Sequence, residues 1–152
     1  MQSTTIHQRF IKLFTLTTLC FIAVSFAAPT GLDSYEIYLN KQLLLKQHVN
    51  QPLSLRKLQL DKAKDNDQLR IEYRHCQTPY VGTDRMILTK DQKGNTLKKW
   101  IFANAAGANS SMVIGVKELR LLESKKGLHD LSMHYSSREL SKGETLAYIH
   151  LK

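Results

Sequence analysis

Short apolar runs broken by polar turns dominate the chain from residue 34 onward. The clearest is Leu69 to His75. Leu69, Ile71 and Tyr73 alternate with Arg70, Glu72 and Arg74, the two-residue period of a strand with one face on a core and the other in water. Tyr35, Ile37 and Leu39 alternate in the same way with Glu36 and Tyr38; after Asn40-Lys41 the run Leu43-Leu44-Leu45 returns, which predicts a hairpin. Leu53, Leu55, Leu58 and Leu60 change phase at Arg56-Lys57 and read as one strand with a bulge. Asp61 to Asp67 reads as a charged turn or short helix. Met86 to Leu88 and Leu97 to Ala103 flank Asp91-Gln92-Lys93-Gly94-Asn95, a turn in which Gly94 can supply positive φ. Trp100 and Phe102 share a face and are expected core anchors. Met112-Val113-Ile114 reads as a further strand. Val116, Leu119 and Leu122 then recur three apart among Lys117, Glu118 and Glu123, the spacing of one helix with Gly127 as its stop. A last hairpin joins Leu131, Met133 and Tyr135 through Ser141-Lys142-Gly143 to Thr145–Leu151.

About eight short strands and one short helix in a chain of this size predict a mainly β fold: an antiparallel, immunoglobulin-like β-sandwich. The connections are too short for parallel crossovers. A small open barrel is the alternative.

The first 33 residues break this pattern. Arg9 and Lys12 stand before an uncharged stretch from Leu13 to Phe26, and Ser25-Phe26-Ala27 is small-x-small. These are the three parts of a cleavable secretory signal. The apolar stretch falls short of the roughly 20 residues that span a bilayer, so no stable membrane span is expected after cleavage. Residues 1–27 are read as signal peptide, 28–33 as a flexible leader and 34–152 as one domain, secreted or periplasmic. Cys20 would leave with the signal, so Cys76 would be the single thiol and the domain would be held by its apolar core alone.

Charge narrows the partners. The chain is formally +9, and removing Arg9 and Lys12 leaves +7, because all 13 acids follow residue 27. Such a balance favours anionic surfaces or polymers. The basic residues are dispersed, without an aromatic-interleaved basic motif, and export argues against nucleic acid.

Three segments carry a family likeness: Ser34-Tyr35-Glu36-Ile37-Tyr38-Leu39, Tyr73-Arg74-His75-Cys76, and Tyr135-Ser136-Ser137 before a glycine turn and a last strand. Together they resemble small secreted β-sandwich proteins of Gram-negative bacteria to which no activity is assigned. The resemblance implies export and a β fold and no functional residue.

The candidate chemistry is sparse. His75, Cys76 and His134 offer imidazole and thiolate, the ligands that copper or zinc prefer. Yet adjacent His75 and Cys76 face opposite sides of a regular strand. If the last hairpin turns near Leu140, opposed residues have numbers summing to roughly 280, which sets His134 against Leu146 and His150 against Asp130. The two histidines then lie on the order of 13 Å apart, too far for one ion. Asp61, Asp65, Asn66 and Asp67 crowd one turn but are interleaved with lysines and lack a calcium-loop pattern. No G-x-S-x-G elbow is present, and paired carboxylates cannot be picked out. No cofactor motif appears. The remaining candidate is recognition: Tyr80, in a loop flanked by Arg74 and Arg85, as a contact for a protein or an anionic glycan or envelope partner. The preferred expectation is therefore a non-enzymatic binding domain. A metal or redox module, or a hydrolase whose site only the fold assembles, stands as the alternative.

Overall fold

The structure, a computed structural model, describes residues 32–76, 81–107, 110–126 and 131–151. Tyr80 and the expected signal and leader up to residue 31 lie outside the described residues, as do Gly127, His129 and Asp130.

The alternating segments fold as strands: β1 Ser34–Leu39, β2 Gln42–His48, β3 Lys57–Gln59, β4 Gln68–Arg74, β5 Val81–Gly82, β6 Met86–Lys90, β7 Thr96–Ile101, β8 Ala105–Ala106, β9 Met112–Gly115, β10 Leu131–Ser136 and β11 Glu144–His150. The helix α1 is Val116–Lys126. Two sheets result, in the orders β2-β1-β4-β9 and β3-β11-β10-β6-β7, with a small β5-β8 pair beside them. Among the described residues the fold is mainly β, with two main sheets and no closed barrel.

The two-residue period sorts side chains as the pattern requires. Leu69, Ile71 and Tyr73 are buried, as are Tyr35 and Ile37 on the neighbouring strand. From the other sheet Ile87, Leu131, Met133, Tyr135, Ala147 and Ile149 join the same core. The sheets meet directly: the Tyr73 and Tyr135 rings stack with centroids 4.1 Å apart, and the Tyr35 hydroxyl donates to the Leu146 carbonyl at 2.6 Å. Burying each such aliphatic or aromatic side chain stabilises by roughly 1.5–3 kcal/mol, which is how a domain with one exposed thiol, Cys76, holds together without an internal disulfide among the described residues. Val116 and Leu119 plug helix α1 into this core. Glu118, in its first turn, receives the Trp100 indole N–H at 3.0 Å and pairs with Lys98 on edge strand β7. Trp100 and Phe102 are half-buried at the core margin rather than central anchors, since β7 is the sheet's edge.

Three local expectations change. The segment Leu53–Leu60 is not one bulged strand: Leu53–Leu55 is a 3-10 turn, and only Lys57–Gln59 pairs. Its partner is β11, in parallel, so the five-stranded sheet is mixed rather than purely antiparallel. A long excursion through the rest of the fold, not a crossover, joins the two strands. The cause is Arg56, which is 2% exposed. Its guanidinium donates to the Thr145, Val49 and Gln51 carbonyls and pairs with Glu144, turning the chain inward and delivering it to β11. Finally, the last hairpin keeps the register sum of 280 through Leu131↔Ile149 and Met133↔Ala147, then slips by one at a bulge, so His134 opposes Thr145.

Candidate functional site

The outer faces of the two sheets differ in how their charge is handled. On the β2-β1-β4-β9 sheet, Lys46 and Arg74 pair with Glu36, and Arg70 and Arg74 pair with Glu72. The Tyr38 hydroxyl donates to Glu36 at 2.5 Å, and the Arg70 guanidinium lies over the Tyr38 ring. The Lys46 ammonium and the Tyr38 hydroxyl together hold the Glu36 carboxyl below the usual range. The cations named on this face are all paired within it, and Arg74, a candidate recognition cation, is committed there.

The outer face of the five-stranded sheet is built differently. Register places Lys57 beside Tyr148, Tyr148 beside Ser132, and Ser132 beside Lys90. These four stand in one row across β3, β11, β10 and β6. With strands about 4.8 Å apart, the lysine backbones are about 14 Å apart. Tyr148 is 41% exposed at the centre of the row. A depression of about 530 Å³ is lined by Lys57, Gln59, Gln92, Tyr148 and His150, and a second of about 240 Å³ by Lys90, Gln92, Ser132, His134 and Tyr148. Shared Tyr148 and Gln92 make them one groove. Among the described residues no carboxylate forms an ion pair with Lys57 or Lys90. Asp91, which also lines the second depression, accepts the Lys93 and Asn95 N–H groups that close its turn. The row's polar groups are held in place: His134 Nε2 lies 2.9 Å from Ser132 Oγ, and Thr145 Oγ1 lies 3.1 Å from His134 Nδ1. Burial, with Lys90 nearby, pushes the His134 imidazole below its ordinary value and so favours its neutral form.

A second polar cluster is buried between the sheets. His75 Nδ1 lies 3.0 Å from Asp33 Oδ2, and its Nε2 lies 3.3 Å from both Ser137 Oγ and Tyr135 Oη. Asp33 also accepts the Tyr73 hydroxyl at 3.0 Å and the Cys76 N–H at 2.8 Å. The carboxylate therefore fastens the segment before β1 to the end of β4. An acid–histidine–hydroxyl line has the outline of a nucleophile relay. Here two hydroxyls converge on one imidazole nitrogen, Ser137 also accepts the Leu140 N–H, and His75 and Ser137 are buried.

The other expected residues fall apart. His75 is buried while adjacent Cys76 is exposed. His134 points to the outer face, away from Tyr135, the His75 partner on the same strand. The described residues contain no group of three or more His, Cys, Asp or Glu side chains placed to hold a metal ion. Arg85, the second candidate recognition cation, is 6% exposed and is consumed internally: it donates to the Ala103 carbonyl through Nε at 2.8 Å and Nη2 at 2.6 Å, and to Ser110. Burial lowers the pKa of its guanidinium. Sequence reasoning did not find the groove, because its row comes from four separated segments. The signal available in advance was Tyr148, a large aromatic at an outward position between inward Ala147 and Ile149.

No protein-family model, curated protein sequence or solved structure matches this chain.

Proposed function

We propose that this chain is an exported, non-enzymatic β-sandwich of immunoglobulin-like class that binds an anionic glycan or other envelope component through the outer face of its five-stranded sheet. The observation that carries this reading is the row Lys57–Tyr148–Ser132–Lys90 along an open groove, with both lysines free of ion pairs to carboxylates among the described residues. Cations left unneutralised beside an exposed aromatic attract a polyanion and offer it a surface to rest on. The other sheet's face, whose named cations are paired with Glu36 and Glu72, serves as the internal control. Export is supported by the signal-like composition of residues 1–27. The test is retention on an immobilised acidic polysaccharide at rising salt. The double charge reversal Lys57→Glu/Lys90→Glu is expected to abolish retention, while Lys46→Glu on the other face leaves most of it. Equal losses from both changes would show only general basicity and overturn the reading.

A second reading rests on the Asp33–His75–Ser137 line. Under it the chain is a small hydrolase in which Ser137 attacks, His75 Nε2 takes its proton and Asp33 holds the imidazole. A fluorophosphonate probe labelling wild-type protein but not Ser137→Ala would favour it. A folded wild-type protein that stays unlabelled would remove it.

A further inference from the structure

Resting on the reading that the groove binds anions, we propose that its ligand is a linear acidic polysaccharide lying across the strands, with one sugar ring on Tyr148 and its acidic groups reaching Lys57 and Lys90.

Geometry sets the direction. The four residues share one register row, so a ligand touching all of them runs perpendicular to β11 rather than along it. The two cations are about 14 Å apart at their backbones, a width that an extended chain of several sugar rings spans and a single small anion does not. Two long, flexible side chains at the ends of the row suit charges distributed along a polymer, because a lysine ammonium is a movable point charge without a fixed fork.

The lining selects among polyanions. A bare phosphate polymer needs cations only. The centre of this row instead carries a half-exposed aromatic ring, whose flat apolar face suits the C–H side of a pyranose. Beside it stand the Ser132 hydroxyl and the Gln59 amide, which match sugar hydroxyls. Single-stranded nucleic acid is bound by successive aromatic platforms along a basic track, whereas Tyr148 is the aromatic lining this groove among the described residues.

The experiment uses the purified full domain with four probes at matched ionic strength: polygalacturonate, dextran, inorganic polyphosphate and oligodeoxythymidylate. Tyr148→Ala and Lys57→Gln/Lys90→Gln are compared with wild type, with thermal melting as the check on folding. Tyr148→Phe serves as the conservative control. Polygalacturonate is expected to bind tightest. Tyr148→Ala should weaken it by about tenfold while leaving polyphosphate within about twofold, and Tyr148→Phe should retain most of the affinity. The lysine double variant should weaken both polyanions. If polyphosphate or the oligonucleotide binds as well as polygalacturonate, or Tyr148→Ala weakens every polyanion equally, the sugar assignment fails while the anion-binding reading survives. If no polyanion binds, or the lysine variant changes nothing, the underlying reading fails with it.

Discussion

At the scale of single residues, two buried arginines changed the picture most. Arg56 and Arg85 each stand next to another charged residue, Lys57 and Asp84, at positions where a cation is ordinarily a solvated surface group. Neither alternation nor spacing separates them from Lys57 or Arg74. Both are spent on backbone carbonyls, an arrangement visible only once distant chain segments are brought together. Removing Arg56 takes a donor from Glu144 and from three carbonyls, so Arg56→Ala is expected to destabilise by about 3–5 kcal/mol, read as a shift of the urea midpoint. Arg56→Met with Glu144→Gln should recover part of the loss. Glu139 gives a pH signature. Burial pushes its carboxyl up, but the Thr83 N–H and hydroxyl, its own N–H and the Ser137 hydroxyl outweigh this and bring it to about 2, against an ordinary 4.5. A depressed carboxyl stabilises the fold above its unfolded value and loses that contribution as pH falls through about 2. Glu139→Gln should therefore lower stability at pH 7, with the gap to wild type closing as pH falls from 4.5 to 2 in urea titrations.

At the scale of elements, period and turn chemistry were legible and edges were not. Each of β1, β2, β4, β6, β7, β9, β10 and β11 overlaps a segment read as a strand, and α1 covers the segment whose apolar spacing read as a helix. Gly94 adopts φ +82° in its turn, as its sequence context predicted. The missed features are those without a local signal: the two-residue pair β5-β8, the parallel β3–β11 contact, and the bulge that moves His134 from Leu146 to Thr145. Two glycines show the difference in mechanism. At Gly94 an added Cβ would meet nothing within 4 Å, so Gly94→Ala is expected to cost only the positive-φ penalty of about 1 kcal/mol. At Gly82 the added Cβ would stand 2.6 Å from Arg85 Cδ and 3.4 Å from the Tyr135 hydroxyl. Arg85 is pinned by its carbonyls, so Gly82→Ala is expected to cost more, about 1–3 kcal/mol. Thermal melts of the two variants compare a purely conformational change with a crowded one.

At the scale of the whole molecule, a formal charge of +9 is less informative than its distribution. The sequence disperses its lysines and arginines evenly, and no run announces a patch. Folding then pairs the cations of one face with Glu36 and Glu72 and leaves Lys57 and Lys90 on the other without carboxylate partners among the described residues. Attraction from such a face is screened beyond a Debye length of about 8 Å at physiological salt. Polyanion binding should therefore fall steeply between low and physiological ionic strength, and the Lys57→Glu/Lys90→Glu protein should show a flatter salt dependence in the same titration.

The parallel edge carries a consequence for how the molecule is born. Strand β3 finds its sheet neighbour about ninety residues downstream in β11, and Lys57 reaches the groove only through that pairing. One end of the groove thus cannot exist until the hairpin of β10 and β11 has been synthesised, and a nascent chain cut short of Glu144 has no platform for Tyr148 or Lys57 to share. Long-range closure of this kind slows folding, so the lysine at the sheet's edge is among the last groups to reach its final neighbours.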